Sequence, residues 1–260
     1  MRRDATLWIL LALSLWPAFA RAGGAVARVG RDAEAYVTVP ARWRAAEWSR
    51  LALTAGSVGG VMFVDQWVRR RVLAERTEAA RDLARLLKGF GEPLGVGGGL
   101  AASVYLGGWL TGDPDTRETG FRMLEAGVFS LAAASVLKVV VGRSRPERGE
   151  GAATFRPLRG GLGGDRSSFP SGHTTFAFAV AAVAAERVPG AGWVAYPLAA
   201  LVGWSRLHDD EHWASDVAAG AVLGAATGWW VAHREEGMAP AVTPWLAPRG
   251  AGLAWHGTFR

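Results

Sequence analysis

Ser205-Arg206-Leu207-His208-Asp209-Asp210-Glu211-His212-Trp213-Ala214-Ser215-Asp216 sets a histidine and an aspartate four residues apart, where a polar run gives way to the apolar segment 217–232. On a helix, positions i and i+4 share a face, so Asp216 can accept a hydrogen bond from one imidazole nitrogen of His212. That contact would fix the tautomer and leave the other nitrogen free as a nucleophile or base. The same spacing also suits a helix-entry histidine packed beside an N-terminal aspartate, and the segment alone does not choose.

Two stretches upstream bear on the choice. Phe169-Pro170-Ser171-Gly172-His173-Thr174-Thr175 precedes the apolar run 176–185 and reads as a helix start. Free backbone N–H groups at such a start attract an anion, and Ser171 and Gly172 let a phosphate come close. Further back, Lys138 and Arg145-Pro146 are separated by six residues, placing two cations near one helix end. The chain holds only two lysines, Lys88 and Lys138, among 29 basic residues, which makes Lys138 stand out against the arginine-rich background.

Taken in order, Lys138-x6-Arg145-Pro146, Pro170-Ser171-Gly172-His173 and Ser205-Arg206-x5-His212-x3-Asp216 resemble the three-part signature of the type 2 phosphatidic acid phosphatase (PAP2) superfamily. All specified positions match without a gap. The motifs span about a third of the chain, and the surrounding apolar segments carry the likeness back to about Leu94. The resemblance implies an all-α fold, a helical bundle of the PAP2/haloperoxidase type. Five or six helices would be membrane-embedded, with the active site at one end.

It also implies roles for residues. His212 would attack phosphorus and carry a phosphohistidine, oriented by Asp216. His173 would protonate the leaving oxygen and then activate water. Lys138, Arg145 and Arg206, with Ser171 and the Gly172 N–H, would hold the phosphate oxygens whose charge grows in the transition state. No metal and no cofactor would be needed. The substrate would be a lipid-linked phosphate or diphosphate; a soluble exported acid phosphatase and a vanadate-dependent haloperoxidase are the competing activities.

Composition narrows the partners. Zero cysteines exclude disulfides, thiolate metal sites and cysteine nucleophiles. The net charge of +6 suits nucleic acid, anionic lipid or a phosphorylated substrate. Half the residues are hydrophobic and no nucleic-acid motif is present, which points to lipid. Thirteen tryptophans fit either an interfacial belt or a soluble core. The oligomeric state is not legible.

Residues 1–22 read as an export signal or an anchor: Arg2-Arg3, an apolar stretch, then Ala18-Phe19-Ala20. Residues 23–44 read as a linker, 45–236 as the helical phosphatase domain and 237–260 as a Pro/Gly-rich tail, in which 252–259 alternates weakly and reads as a short strand or as disordered. Segment 45–68 is a tilted span or a helix packed on the bundle, because its uncharged run falls short of the roughly 20 residues a span needs. Residues 69–88 read as one charged helix, interfacial or solvated. Segments 94–112, 121–142, 174–185, 188–205 and 217–232 are apolar, and antiparallel packing of the last four brings the motifs to one end. Those runs favour a multi-pass protein of a bacterial cell membrane, with a soluble periplasmic protein as the alternative. The resemblance to lipid phosphatases implies a site facing the periplasm, whereas the arginine excess in 69–85 and 143–166, and the helix count if 45–68 spans, point to the cytoplasm.

Several neighbours of the motifs carry weaker readings. His208 reads as a rim residue, and Asp209, Asp210 and Glu211 as solvated side chains rather than metal ligands. Arg143 stands near enough to Arg145 to help hold phosphate. Asp165 and Arg166 shape an entrance or lie in a solvated loop. His233 and His256 read as surface.

Overall fold

The computed structural model describes residues 23–161, 164–234, 241–247 and 250–256. The expected export signal or anchor at 1–22 lies outside the described residues. In chain order the helices are α1 (Gly23–Thr38), α2 (Ala45–Val61), α3 (Asp65–Ala74), α4 (Glu78–Phe90), α5 (Val96–Thr111), α6 (Pro114–Val141), α7 (Gly172–Arg187), α8 (Gly192–His208) and α9 (Ala214–Ala232). Strands β1 (Ala241–Ala247) and β2 (Gly250–His256) form an antiparallel hairpin with Ala241 opposite His256 and Ala247 opposite Gly250. The helical bundle is the expected one; the hairpin adds a small sheet where the tail was expected to hold at most one strand.

α7 is the central helix. It packs on α6, α8 and α9, while α5 lies on α6 and α4 on α8. The approach of α9 to α7 depends on Gly220, Gly224 and Gly228, one helical turn apart on a single face. A Cβ on Gly224 would lie 2.2 Å from the Thr175 carbonyl oxygen, and one on Gly228 2.3 Å from that of Ala179. The core between the helices is built from small residues, Ala126, Ala179 and Val183 among them, with Met123 and Phe129 filling the remaining space.

α6 is the longest element at 28 residues, about 42 Å at the usual helical rise. Asp113 caps it, accepting from the Asp115 N–H at 3.0 Å, and Pro114 occupies the first helical position where a missing N–H costs nothing. It stops at Gly142, whose φ of +57° and N–H to the Lys138 carbonyl form a left-handed C-terminal cap. No other residue fits there, since a Cβ would meet the Arg156 carbonyl oxygen at 2.0 Å. This cap turns the chain into the motif loop directly after Lys138.

Among the described residues two stretches, Ala45–Ala74 and Pro114–Val141, are long and apolar enough to cross a membrane by length and composition. The first extends the expected segment 45–68 as a continuous helical run through a short 3-10 turn, Met62–Val64. Large apolar side chains stand outward around the bundle: Leu53, Phe63, Trp109, Leu110 and Trp193 are all exposed. Meanwhile Arg122, Glu125, Arg143, Arg206 and Asp216 are buried. An apolar outside over a polar inside fits a lipid surround.

Two further expectations need correcting. Residues 23–44 do not form a plain linker, because 23–38 is helical and packs on the bundle. Arg234 reaches Asp32 at 2.8 Å, and the Tyr36 hydroxyl pairs with Thr227 at 2.7 Å. The single charged helix expected over 69–88 is two helices, broken at Glu75–Arg76, with Thr77 capping α4 by accepting from the Ala80 N–H at 3.1 Å.

Candidate active site

The three motifs meet at one end of the bundle: the C-terminus of α6, the N-terminus of α7, the C-terminus of α8 and the N-terminus of α9. The connection between α6 and α7 folds over this end. It is pinned by Arg156 N–H to the Gly142 carbonyl at 3.0 Å, Ser144 N–H to Thr154 at 3.0 Å and Ser168 N–H to Arg143 at 3.1 Å. The Trp213 indole donates to the Ser144 carbonyl at 2.9 Å, fastening the loop to the start of α9.

His212 precedes α9 instead of lying within it, and its orientation comes from the loop. Its Nδ1 is 2.7 Å from the Ser168 carbonyl oxygen. A carbonyl can only accept, so Nδ1 carries the proton and Nε2 keeps its lone pair. The Asp216 carboxylate is 3.7 Å from Nδ1, a charge contact longer than a hydrogen bond. The expected i, i+4 hydrogen bond is therefore replaced by a backbone acceptor. Burial, with the cations Lys138 and Arg145 adding to it against the opposing pull of Asp216, lowers the His212 pKa from 6.5 to about 4. The resting imidazole is neutral.

Asp216 is held from four directions. It accepts from Arg143 Nη1 at 2.5 Å, from the Ser168 hydroxyl at 2.5 Å and from the Trp213 N–H at 2.9 Å, in addition to the charge contact with His212. Burial opposes the charge of this carboxylate, but the surrounding donors and the Arg143 guanidinium hold its pKa below the usual carboxylate range.

Arg143 does not face a phosphate. It is fully buried, and its other nitrogen donates to Asp65 at 2.7 Å, while Ser215 Oγ lies 2.7 Å from Nη1. Asp65 in turn accepts from the Ser215 N–H at 2.8 Å and the Ser215 hydroxyl at 2.6 Å. The chain Asp65–Arg143–Asp216 ties α3, the loop and α9 together. In the sequence Asp65 is simply the carboxylate that follows the uncharged run 51–64, and that position is its one available signal.

The cationic residues converge. Lys138 Nζ donates to the Ser167 carbonyl, and Arg145 Nη2 reaches the Ser167 hydroxyl at 3.3 Å. Lys138 lies beside the first turn of α7, its Cε 3.8 Å from where a Cβ on Gly172 would stand. No side chain caps that helix start, so its N–H groups add to the positive field. Arg145 and Arg206 share one carboxylate: Glu211 lies 2.7 Å from Arg145 Nη1 and 2.8 Å from Arg206 Nη2.

That pairing corrects the reading of the acidic trio as solvated. Asp209 pairs with Arg206 at 2.9 Å, Asp210 with Arg69 at 2.6 Å, and Glu211 with both expected phosphate-binding arginines. Burial would push the Glu211 carboxyl up, but Arg206 and Arg145 hold it at about 2.

His173 sits in the first turn of α7, ahead of its apolar run, with Nε2 3.7 Å from Glu92 Oε1. Burial and the nearby positive charge of Arg206 lower its pKa to about 3. Ser171 is tied to α9 by its N–H to the Asp216 carbonyl at 3.0 Å, and its hydroxyl accepts from Thr174 at 2.9 Å. His208 is buried at 3% exposure, not a rim residue. Asp165 pairs with Arg148 at 2.9 Å and Arg166 lies 3.7 Å from Glu150.

The arrangement offers a neutral imidazole with a free nitrogen, a second neutral imidazole, and three cations arranged about a helix N-terminus. Comparison with known proteins gives the same direction. Residues 120–236 match the PAP2 superfamily. A lipid A 1-phosphatase of Rhizobium etli is 28% identical over 179 residues, covering 60% of this chain and 71% of that protein. A lipid A 1-phosphatase of Porphyromonas gingivalis is 39% identical over 72 residues, and this match covers 25% of the chain and only 16% of that protein. In fold, the chain resembles a transmembrane PAP2-type phosphatidylglycerolphosphate phosphatase from Bacillus subtilis. The TM-score is 0.55 at 22% identity, covering 71% of this chain and 91% of that one.

Proposed function

We propose that this chain, whose residues 120–236 match the PAP2 superfamily, is a membrane phosphatase hydrolysing lipid-linked phosphate or diphosphate through a phosphohistidine, without a metal. The observation that carries the reading is the Nδ1–H of His212 directed at the Ser168 carbonyl at 2.7 Å, which leaves Nε2 as an unprotonated nucleophile among cations.

In the first step Nε2 of His212 attacks phosphorus and the bond to the ester oxygen breaks. The alkoxide takes a proton from His173, which must have acquired it in the substrate complex. The phosphate dianion supplies the reason, since negative charge beside His173 raises a pKa that burial and Arg206 otherwise hold near 3. In the second step the now neutral His173 removes a proton from water, the oxygen attacks the phosphohistidine, and the N–P bond returns its electron pair to Nε2. Asp216 stabilises the imidazole while it carries phosphorus and positive charge. Lys138, Arg145 and Arg206 hold the equatorial oxygens, Arg145 and Arg206 as planar forks and Lys138 as a point charge.

Lipid is the substrate class this surface favours, because exposed Leu53, Phe63, Trp109 and Trp193 would stand in acyl chains while the site opens at the bundle end. The relatives named for lipid A 1-phosphatase activity support the same class. We place the protein as a multi-pass membrane enzyme with its site facing the periplasm. The cysteine-free chain allows a direct test: Glu147→Cys, at an exposed loop position, should label with an impermeant maleimide in intact cells. Labelling only after permeabilisation would turn the bundle over.

For the chemistry, phosphate release is measured from phosphatidate, a polyprenyl diphosphate and a water-soluble monoester, by wild-type and His212→Ala protein in detergent with EDTA. Release from lipids that survives EDTA and is lost in the variant supports the proposal. Turnover of the soluble ester alone would identify a broad-specificity acid phosphatase, and halide oxidation dependent on added vanadate would identify a haloperoxidase.

A further inference from the structure

A cavity of about 360 Å³ lies beside the cation cradle, lined by Arg76, Arg81, Arg85, His208, Asp209 and Glu211. It does not include His212 or His173, yet Glu211 borders both spaces: its carboxylate bridges Arg145 and Arg206 on one side and lines this cavity on the other. The charges lining it do not balance. Asp209 and Glu211 are already matched by Arg206 and Arg145. Arg76, Arg81 and Arg85 remain, and the pairing of Arg85 with Asp82 at 3.0 Å involves two largely exposed side chains, which contributes little. Arg76 donates to the His208 carbonyl through Nη2 and leaves Nε without a partner.

His208 supplies the second, independent observation. Its side chain is 4% exposed, and neither ring nitrogen has a hydrogen-bond partner among the described residues; Asp209 Oδ1 lies 3.6 Å from Nδ1. A buried imidazole always carries at least one N–H in need of an acceptor. In a cavity with three arginines, the acceptor that meets both demands is an oxyanion.

Resting on the reading of the His212 cradle as a phosphatase site, we propose that this cavity is a second anion site, which takes a further phosphate group of the substrate. A phosphorus centre at Arg145 and Arg206 would react, and a second one on the same molecule would be held by Arg76, Arg81, Arg85 and the His208 N–H. Glu211, which pairs with Arg145 and Arg206 and also lines this cavity, borders both seats. Substrates with two phosphorus groups are thereby favoured over those with one.

The test compares phosphatidylglycerol phosphate, which has a terminal monoester and an inner diester, with phosphatidate, which has the monoester alone. The variant is Arg81→Gln/Arg85→Gln, on exposed positions of α4 and outside the catalytic cradle. In neutral detergent its KM for phosphatidylglycerol phosphate should rise about tenfold with kcat held, while phosphatidate changes less than about twofold. An equal rise on both substrates, or none on either, overturns the proposal. So does a preference that arises only when phosphatidylglycerol is added to the micelles, because a neighbouring lipid headgroup would then be the occupant. A binding arm stands apart from turnover. Calorimetric titration of His212→Ala protein with short-chain forms of both lipids should show phosphatidylglycerol phosphate binding tighter, and the advantage should vanish when Arg81 and Arg85 are also replaced. Equal binding of the two lipids overturns the proposal, even if the wild-type protein releases no phosphate and the phosphatase reading has failed.

Discussion

Arg143 Nη1 donates to Asp216 Oδ1 at 2.5 Å, with both side chains fully buried, and the other end of the same guanidinium holds Asp65. The arginine nearest in sequence to Arg145 is thus a brace behind His212. Removing it would leave two buried carboxylates without their cation. Breaking a buried pair in this way costs about 3–5 kcal/mol. Arg143→Ala should lower the thermal unfolding midpoint sharply, and Arg143→Lys should recover only part, because a point charge cannot reach both carboxylates. A variant that melts with wild type would remove Arg143 from this role.

The Ser168 backbone and side chain do different things. Its carbonyl sets the His212 tautomer, and its hydroxyl donates to Asp216 at 2.5 Å. Ser168→Ala keeps the first and deletes the second, leaving Asp216 with Arg143 and the Trp213 N–H. One lost hydrogen bond to a charged group amounts to about 1.5–3 kcal/mol. We expect kcat to fall about tenfold with KM held, against complete loss in His212→Ala. Loss in Ser168→Ala as severe as in His212→Ala would mean that the hydroxyl, not the carbonyl, orients the ring.

The candidate site residues that the structure gathers at one end of the bundle were legible in the sequence because they lie in three short motifs in which every specified position is filled. The bundle was legible too, since 217–232, 188–205 and 174–185 each carry an apolar run bounded by polar residues. What it missed depends on long-range contact. Asp65 meets Arg143 across 78 residues, and the Ser168 carbonyl meets His212 across 44. A backbone acceptor has no residue-type signature at all. The helical state of residues 23–38 was hidden because its stabilisation comes from Arg234, Thr227 and Phe129 elsewhere in the chain. The Gly220-x3-Gly224-x3-Gly228 stripe went unread, although its i, i+4 spacing announces a close helix contact.

That stripe gives a stability prediction with an internal control. Gly224→Ala would place a Cβ 2.2 Å from the Thr175 carbonyl oxygen, so α9 must back away from α7. Overpacking of this kind costs about 1–3 kcal/mol. Gly107→Ala, in α5 with nothing within 4 Å of the added atom, removes only unfolded-state freedom. It should be neutral or stabilise by up to about 1 kcal/mol. Parallel melts in one detergent check both; equal destabilisation of the two variants would deny the α7–α9 contact.

The neutral histidines make the fold acid-sensitive. With its folded pKa lowered from 6.5 to about 4, His212 binds less proton in the native than in the unfolded state across that interval. Its contribution is therefore complete above about pH 6.5 and is lost as pH falls towards 4, at up to about 1.4 kcal/mol per pH unit. His173 acts in the same sense. His212→Gln should flatten the stability–pH slope by about one proton between pH 6 and 4.5, measured by denaturation at a series of pH values. An unchanged slope would mean that His212 is not held neutral.

Glu211 stands where the proposed reaction would bring a phosphate, 2.7 Å from Arg145 and 2.8 Å from Arg206. Held at about 2 by those arginines, it is charged throughout the physiological range. Two unit charges 4 Å apart near a protein surface repel by about 4 kcal/mol, a figure that partial exposure of this side chain reduces. Glu211→Gln keeps the size and one acceptor but removes the charge. Two opposite outcomes are expected together: inhibition by orthophosphate should tighten by about tenfold, and the melting midpoint should fall because the paired guanidiniums lose their counter-ion. The combination separates an occupant of the anion seat from a mere support for it. If inhibition weakens along with stability, Glu211 orients the arginines for phosphate and does not compete with it.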